Sequence, residues 1–180
     1  YHAGQVCVSV QRIFAHSSIA ENAAATLAEL GAKMKVGDPT SRDTEVGPLI
    51  RTAEVDRVDE WVQAAIAGGA KCLTGGERIS ESCYKPTVLL NPPEDANVST
   101  MEIFGPVICV YSYDDIDDAI EKANSLPVSF QAAVMTKDID TAMRVYNRID
   151  ATAVMVNEHT AFRVDWMPFA GARQSGHGVG

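Results

Sequence analysis

Runs of β-branched and aromatic residues alternate along this chain with segments whose apolar residues recur every three or four positions. That alternation restricts the chain to an α/β architecture. Residues 8–16 are rich enough in Val, Ile and Phe to predict a strand, chiefly over their second half. Ser18-Ile19-Ala20-Glu21 has capping-box spacing, and the helix that follows runs through Ala23, Leu27 and Leu30, with Gly31 placed to end it. Residues 35–50 carry Gly37-Asp38-Pro39 and Gly47-Pro48 and read as a loop. A second helix starts near Thr52, with Val55, Val58, Val62, Ala65 and Ile66 on one face and Gly68-Gly69 as its stop. Further strands are predicted at 71–74, 85–90, 107–113, 131–136 and 153–156. Asp114-Asp115 precedes a helix through Ile116, Ala119, Ile120 and Ala123, and Asp138 caps another through Ala142, Val145 and Ile149. From Asn157 the chain reads as loop. The expected fold is an open, largely parallel twisted sheet with helices on both faces, formed by residues 1–180 as one domain.

Charge and cysteine usage exclude several function classes. A net charge of −9, spread along the chain, repels phosphate backbones, so nucleic acid is not an expected partner. No apolar run reaches the roughly 18 residues of a membrane span. Cys7, Cys72, Cys83 and Cys109 form no CxxC pair, and no histidine lies at metal-ligand spacing from them, so no metal site is expected. A reduced, cytoplasmic protein is the simpler reading. The glycine clusters at 68–69, 75–76 and Gly176-x-Gly178-x-Gly180 do not make the GxGxxG turn of a dinucleotide site. The opening Tyr1-His2-Ala3-Gly4 carries no initiator Met, so the chain reads as a piece of a longer protein, cut at both ends.

Several segments, in order, resemble the aldehyde dehydrogenase superfamily. Gly4-Gln5-Val6-Cys7 followed by Arg12 resembles the catalytic-cysteine motif. Val36-Gly37-Asp38-Pro39, Gly47-Pro48-Leu49-Ile50, Gly69-Ala70-Lys71 and Pro86-Thr87-Val88-Leu89 resemble further landmarks. Glu102-Ile103-Phe104-Gly105-Pro106-Val107 is similar to the EEIFGPV segment, and Asp117-x-Ala119-Ile120 with Asn124 follows. Met167-Pro168-Phe169-Ala170-Gly171-x-Arg173-x-Ser175-Gly176 resembles the closing PFGGxKxSG motif. The departures are Val128-Ser129-Phe130 in place of Tyr-Gly-Leu, Ala170 in place of Gly, and Arg173 in place of Lys.

The resemblance implies the catalytic-domain portion of an NAD(P)-dependent enzyme that oxidises an aldehyde to a carboxylic acid, without its cofactor domain. Cys7 would be the nucleophile, because a thiolate attacks carbonyls readily even as a minor species. Read from its spacing alone, Cys7 is a buried structural cysteine, the usual fate of a free cysteine. Glu102 would accept hydrogen bonds from the nicotinamide ribose, and Phe104 would pack near the nicotinamide of NAD or NADP. Phe169 would line the aldehyde tunnel, or serve as plain core. Arg163 suits an anionic substrate such as a carboxylate, or a surface ion pair with Asp165. The family's oxyanion Asn and general-base Glu would lie upstream, so the chain alone is expected to be inactive. Two other readings remain: a relative that passes its acyl group to coenzyme A, and an inactive structural fragment. The expected assembly at full length is a homodimer or tetramer.

Overall fold

Four strands make the main sheet of the computed structural model, which describes residues 2–177. In chain order they are β1 (Arg12–His16), β2 (Lys71–Thr74), β3 (Thr87–Leu90) and β4 (Val107–Tyr113), arranged β1-β4-β3-β2. β4 is paired on both sides by parallel neighbours, with Arg12 opposite Cys109 on one side and Thr87 opposite Val107 on the other. β2 closes the edge antiparallel to β3. The chain divides into two compact units, Tyr1–Val6 with Val10–Asp114 and Cys7–Ser9 with Asp115–Gly180. This sheet belongs to the first unit. Gly178 and Gly180 of the tail cluster lie outside the described residues.

The period-two alternation of the strands sorts their side chains onto two faces. Ile13, Ala15, Val88, Leu90, Ile108 and Val110 face helix α1 (Ser17–Lys33), which meets them with Ala20, Ala24 and Ala28. Those alanines recur every fourth residue, and their small size lets the helix approach closely. Phe14, Leu89, Val107, Cys109 and Tyr111 face helix α2 (Thr52–Ala67), which buries Val55, Val58, Val62 and Ala65 completely. Each of those valines contributes about 1.5–3 kcal/mol by leaving water. A single turn, α3 (Asn97–Thr100), covers the end of this core.

Two expectations about α1 are corrected. Its cap is His16, whose Nδ1 accepts the Ser18 N–H, so Ser18 already lies inside the helix. Gly31 does not end it: the helix runs on to Lys33, and the Met34 N–H closes back on the Gly31 carbonyl. A glycine without a left-handed backbone costs the helix little more than propensity. Leu30 points to solvent, because the buried stripe is the alanine row and not the one through Leu30.

The second unit holds α4 (Ile116–Asn124), β5 (Val128–Ser129), β6 (Gln131–Val134), α5 (Ile139–Arg148), β7 (Ala153–Val156) and β8 (Ala172–Arg173). β6 and β7 pair in parallel, and β5 pairs antiparallel with β8. The largely parallel character expected from the sequence therefore holds, although among the described residues the strands fall into three sheets. Asp115 and Asp138 cap α4 and α5 through the Asp117 and Thr141 N–H groups. Asp117 ion-pairs with both Arg144 and Arg148, tying α4 to α5. Asn124 bonds the Arg148 carbonyl and the Asp150 N–H, and Asn157, at φ 54°, bonds both backbone groups of Thr136.

Candidate active site

In the first unit the segment leading into β4 presents Glu102 and Phe104 outward around a buried Ile103. Phe104 adopts φ 49°, a left-handed backbone that an aromatic residue occupies only when its surroundings impose it. The imposing contacts are visible. Gln11 Oε1 accepts the Ile103 N–H at 2.8 Å, and Arg57 donates to the Ile103 carbonyl at 2.6 Å. Arg57 is itself held by Glu54 at 2.8 Å and lies over the Trp61 ring at 4.4 Å. Gly105 rests against Val58 of α2, where an added Cβ would come within 2.7 Å of Cγ2. With Ile103 fixed on both sides, Phe104 stays 40% exposed. Partial burial pushes the Glu102 carboxyl above the usual carboxylate range.

The segment before the nucleophile candidate is fixed with equal care. Gly4 has φ 78°, and a Cβ there would lie 2.0 Å from the Gly105 carbonyl oxygen. Only glycine permits that approach. The Gln5 amide donates to the carbonyls of His2 at 3.0 Å and Pro48 at 3.3 Å, and accepts the Ile50 N–H at 2.9 Å.

Cys7 belongs to the second unit and sits in a turn with its side chain exposed. The Thr160 hydroxyl donates to the Val8 carbonyl at 2.7 Å, joining the Cys7 turn to the loop that follows β7. That loop carries Arg163 and Phe169. The Arg163 guanidinium lies over the Phe169 ring at 4.5 Å, and Phe130 meets the same ring edge-on at 5.0 Å. Among the described residues no ion pair joins Arg163 to Asp165. Arg163 and Phe169 thus come together as one exposed cation–aromatic pair in this unit.

The other three cysteines have different surroundings. Cys109 is buried in β4 with its thiol pushed up to about 12 by burial, and burial also raises the thiol of Cys72. Cys83 is buried. A raised thiol is a poor source of thiolate. Among the described residues no group of three or more His, Cys, Asp or Glu is placed to hold a metal ion. None of the helices found among them is long and apolar enough to cross a membrane.

The three departures from the family motifs are structurally consistent with one another. Arg173 binds Asp150 at 2.7 Å and the Asn124 carbonyl at 2.6 Å, using a planar fork that Lys lacks. Val128 and Ser129 pair with Arg173 and Ala172 in the β5–β8 ladder, and Ala170 is buried beneath Thr152, which donates to its carbonyl at 2.6 Å. The residues that sequence reading missed are Gln5, Gln11 and Thr160. Their only sequence signal is proximity to Cys7 or to the closing motif, since their partners lie as far as 152 residues away.

The sequence model of the aldehyde dehydrogenase family matches residues 1–180. A 3-sulfolactaldehyde dehydrogenase of Priestia aryabhattai is 41% identical over 177 residues, covering 98% of this chain and 37% of that protein. The crystal structure of aldehyde dehydrogenase 21 from Physcomitrella patens, in complex with the reaction product succinate, superposes with a TM-score of 0.93 at 33% identity, over 98% of this chain and 37% of that one. The glyceraldehyde-3-phosphate dehydrogenase GapN from Methanocaldococcus jannaschii, complexed with NADP, gives the same score and identity over 99% and 38%. The chain therefore spans little more than a third of the length of these proteins. Its sequence motifs, its fold and its likeness across almost every residue establish that the chain belongs to the aldehyde dehydrogenase family.

Proposed function

We propose that this chain is the thiol-bearing catalytic portion of an NAD(P)-dependent aldehyde dehydrogenase, with Cys7 as the nucleophile. The observation that carries the reading is the contrast among the four cysteines: Cys7 stands exposed in a turn, while Cys83 and Cys109 are buried and burial raises the thiols of Cys72 and Cys109. The Cys7 thiolate adds to the aldehyde carbon to give a thiohemiacetal, whose oxyanion takes the Cys7 backbone N–H as one donor. Cys7 later carries the acyl group as a thioester, which water hydrolyses to the acid. When bound, the nicotinamide supplies the hydride acceptor. Glu102 and Phe104 fit that group, since a partly desolvated carboxylate accepts two ribose hydroxyls and an exposed aromatic ring offers a flat apolar face.

Arg163 and Phe169 are assigned to the substrate. A guanidinium held over an aromatic ring presents its fork to a carboxylate or other oxyanion, so the favoured substrate is a small anionic aldehyde. The names of two relatives support this: one acts on a sulfonated aldehyde, and the other was crystallised with a dicarboxylate product. Four free thiols suit a reducing compartment such as the cytoplasm. The assembly proposed for the full-length enzyme is a homodimer or tetramer, and the 180-residue chain by itself is proposed to be inactive.

The test is competitive labelling of the protein with iodoacetamide, read by peptide mass spectrometry. Cys7 should react at least about tenfold faster than Cys72, because a thiol raised by burial supplies less thiolate. Labelling of Cys7 no faster than Cys72 sinks the assignment. In the full-length enzyme, Cys7→Ser should abolish aldehyde oxidation while leaving cofactor affinity in place.

A further inference from the structure

We propose that Gln11 is a positioning residue for Glu102, setting the backbone from which that carboxylate reaches the cofactor. The proposal rests on the assignment of Glu102 to the nicotinamide ribose. The geometry is specific. Gln11 Nε2 donates to the Met101 carbonyl at 2.7 Å, and its Oε1 accepts the Ile103 N–H at 2.8 Å. The Met101 carbonyl belongs to the peptide group before Glu102, and the Ile103 N–H to the peptide group after it. The two soft dihedrals of Glu102 are rotations about the bonds that lead to these two groups. One side chain therefore holds both peptide planes, and with them the direction of the Glu102 side chain. The second Nε2 hydrogen reaches the Val98 carbonyl at 3.2 Å, which ties the device to α3.

No other residue type of this length does the same. A primary amide carries donor and acceptor on one rigid plane; Glu has acceptors alone when ionised, Met has neither, and Asn is one methylene short. Gln11 is in turn immobilised by its own backbone, whose carbonyl accepts the Cys109 N–H at 2.8 Å at the foot of the β1–β4 ladder. Gln5 repeats the amide device on the loop at Pro48 and Ile50.

The experiment uses the full-length enzyme with Gln11→Met, Glu102→Gln and the double variant. Steady-state KM for NAD(P) and for the aldehyde, kcat, and the dissociation constant of NADH by fluorescence are measured for each. Losing the two bonds that flank Glu102 should raise the cofactor KM and the NADH dissociation constant about tenfold. The aldehyde KM and the iodoacetamide reactivity of Cys7 should stay within about twofold of the parent. Because Gln11 acts through Glu102, the double variant should be no worse than Glu102→Gln alone. A Gln11→Met enzyme with unchanged cofactor KM, or a double variant whose two effects multiply, overturns the proposal while leaving the Glu102 assignment intact. A Glu102→Gln enzyme with unchanged cofactor KM overturns both. Where Gln11→Met fails to fold, Gln11→Glu keeps an acceptor for the Ile103 N–H and loses the donor to Met101, and the same comparison is read from it.

Discussion

Replacing Gly4 by alanine tests whether the segment before Cys7 is held against the Glu102 segment by backbone contact. Two penalties are separable. At φ 78° an L-residue meets its own carbonyl, which costs about 1–2 kcal/mol. The new Cβ would also lie 2.0 Å from the Gly105 oxygen, 2.5 Å from its carbonyl carbon and 3.2 Å from the Pro106 nitrogen. All three are backbone atoms that cannot rotate away, so the chain must shift, at a further cost of about 1–3 kcal/mol. The expected destabilisation of Gly4→Ala is therefore about 2–5 kcal/mol. Gly69→Ala supplies the control. That glycine has φ 109° and would place a Cβ with nothing within 4 Å, so its cost is conformational alone. Urea unfolding followed by tryptophan fluorescence gives both values, provided the slope m is unchanged. Gly4→Ala costing no more than Gly69→Ala would refute the close approach of Gly4 to Gly105.

Two further outcomes follow from the same reasoning. Arg173→Lys should cost about 1–2 kcal/mol, since a point charge cannot hold Asp150 and the Asn124 carbonyl together; hydrogen exchange at residues 172–175 should rise in parallel, and protection equal to the parent would contradict the bracing role. Glu102 has a folded-state carboxyl raised by burial, so its contribution to stability is present below the ordinary carboxylate range and lost as pH rises through the folded value. Glu102→Gln should thus stabilise the protein at pH 7 and lose that advantage at low pH, in urea midpoints taken at both; a constant difference would mean that burial does not penalise the charge.

Much of the scaffold was legible because burial follows periodicity. The Val55–Val58–Val62–Ala65 face, the strand at Val107–Tyr113 and the aspartate caps of α4 and α5 were all read from residue spacing, and each is where the pattern places it. The face of α1 was misread because three alanines carry the contact while the larger Leu30 faces water. β5 and β8 escaped because two-residue strands have no period to detect, and their pairing joins residues 43 and 45 positions apart in sequence. The candidate site was legible only as motifs. What fixes its parts is a set of amide side chains clamping distant backbone, Gln11 on residues 98–103 and Gln5 on residues 48–50, and nothing local in the sequence announces such contacts.

The position of these clamps follows from the sheet. β1 and β4 run parallel as direct neighbours, so their N-terminal ends share one edge. The chain enters β1 at Gln11–Arg12 and enters β4 through Glu102–Pro106, and a glutamine at the first entrance can therefore reach the backbone of the second. Antiparallel pairing would put the two entrances at opposite ends of the sheet, beyond the reach of any side chain. The strain at Phe104 is tolerable for the same reason. A left-handed aromatic costs about 1–3 kcal/mol and persists only where its surroundings over-determine it. Here the ladder to β3, the Arg57 contact on the Ile103 carbonyl and the Gly4–Gly105 approach all act within three residues of it. Pinning Ile103 while leaving Glu102 and Phe104 outward is thus a consequence of placing the segment at the mouth of a strand that is paired on both sides by parallel neighbours. The same rigid strand that buries Cys109 and Tyr111 in the core gives the Glu102 carboxylate a fixed origin.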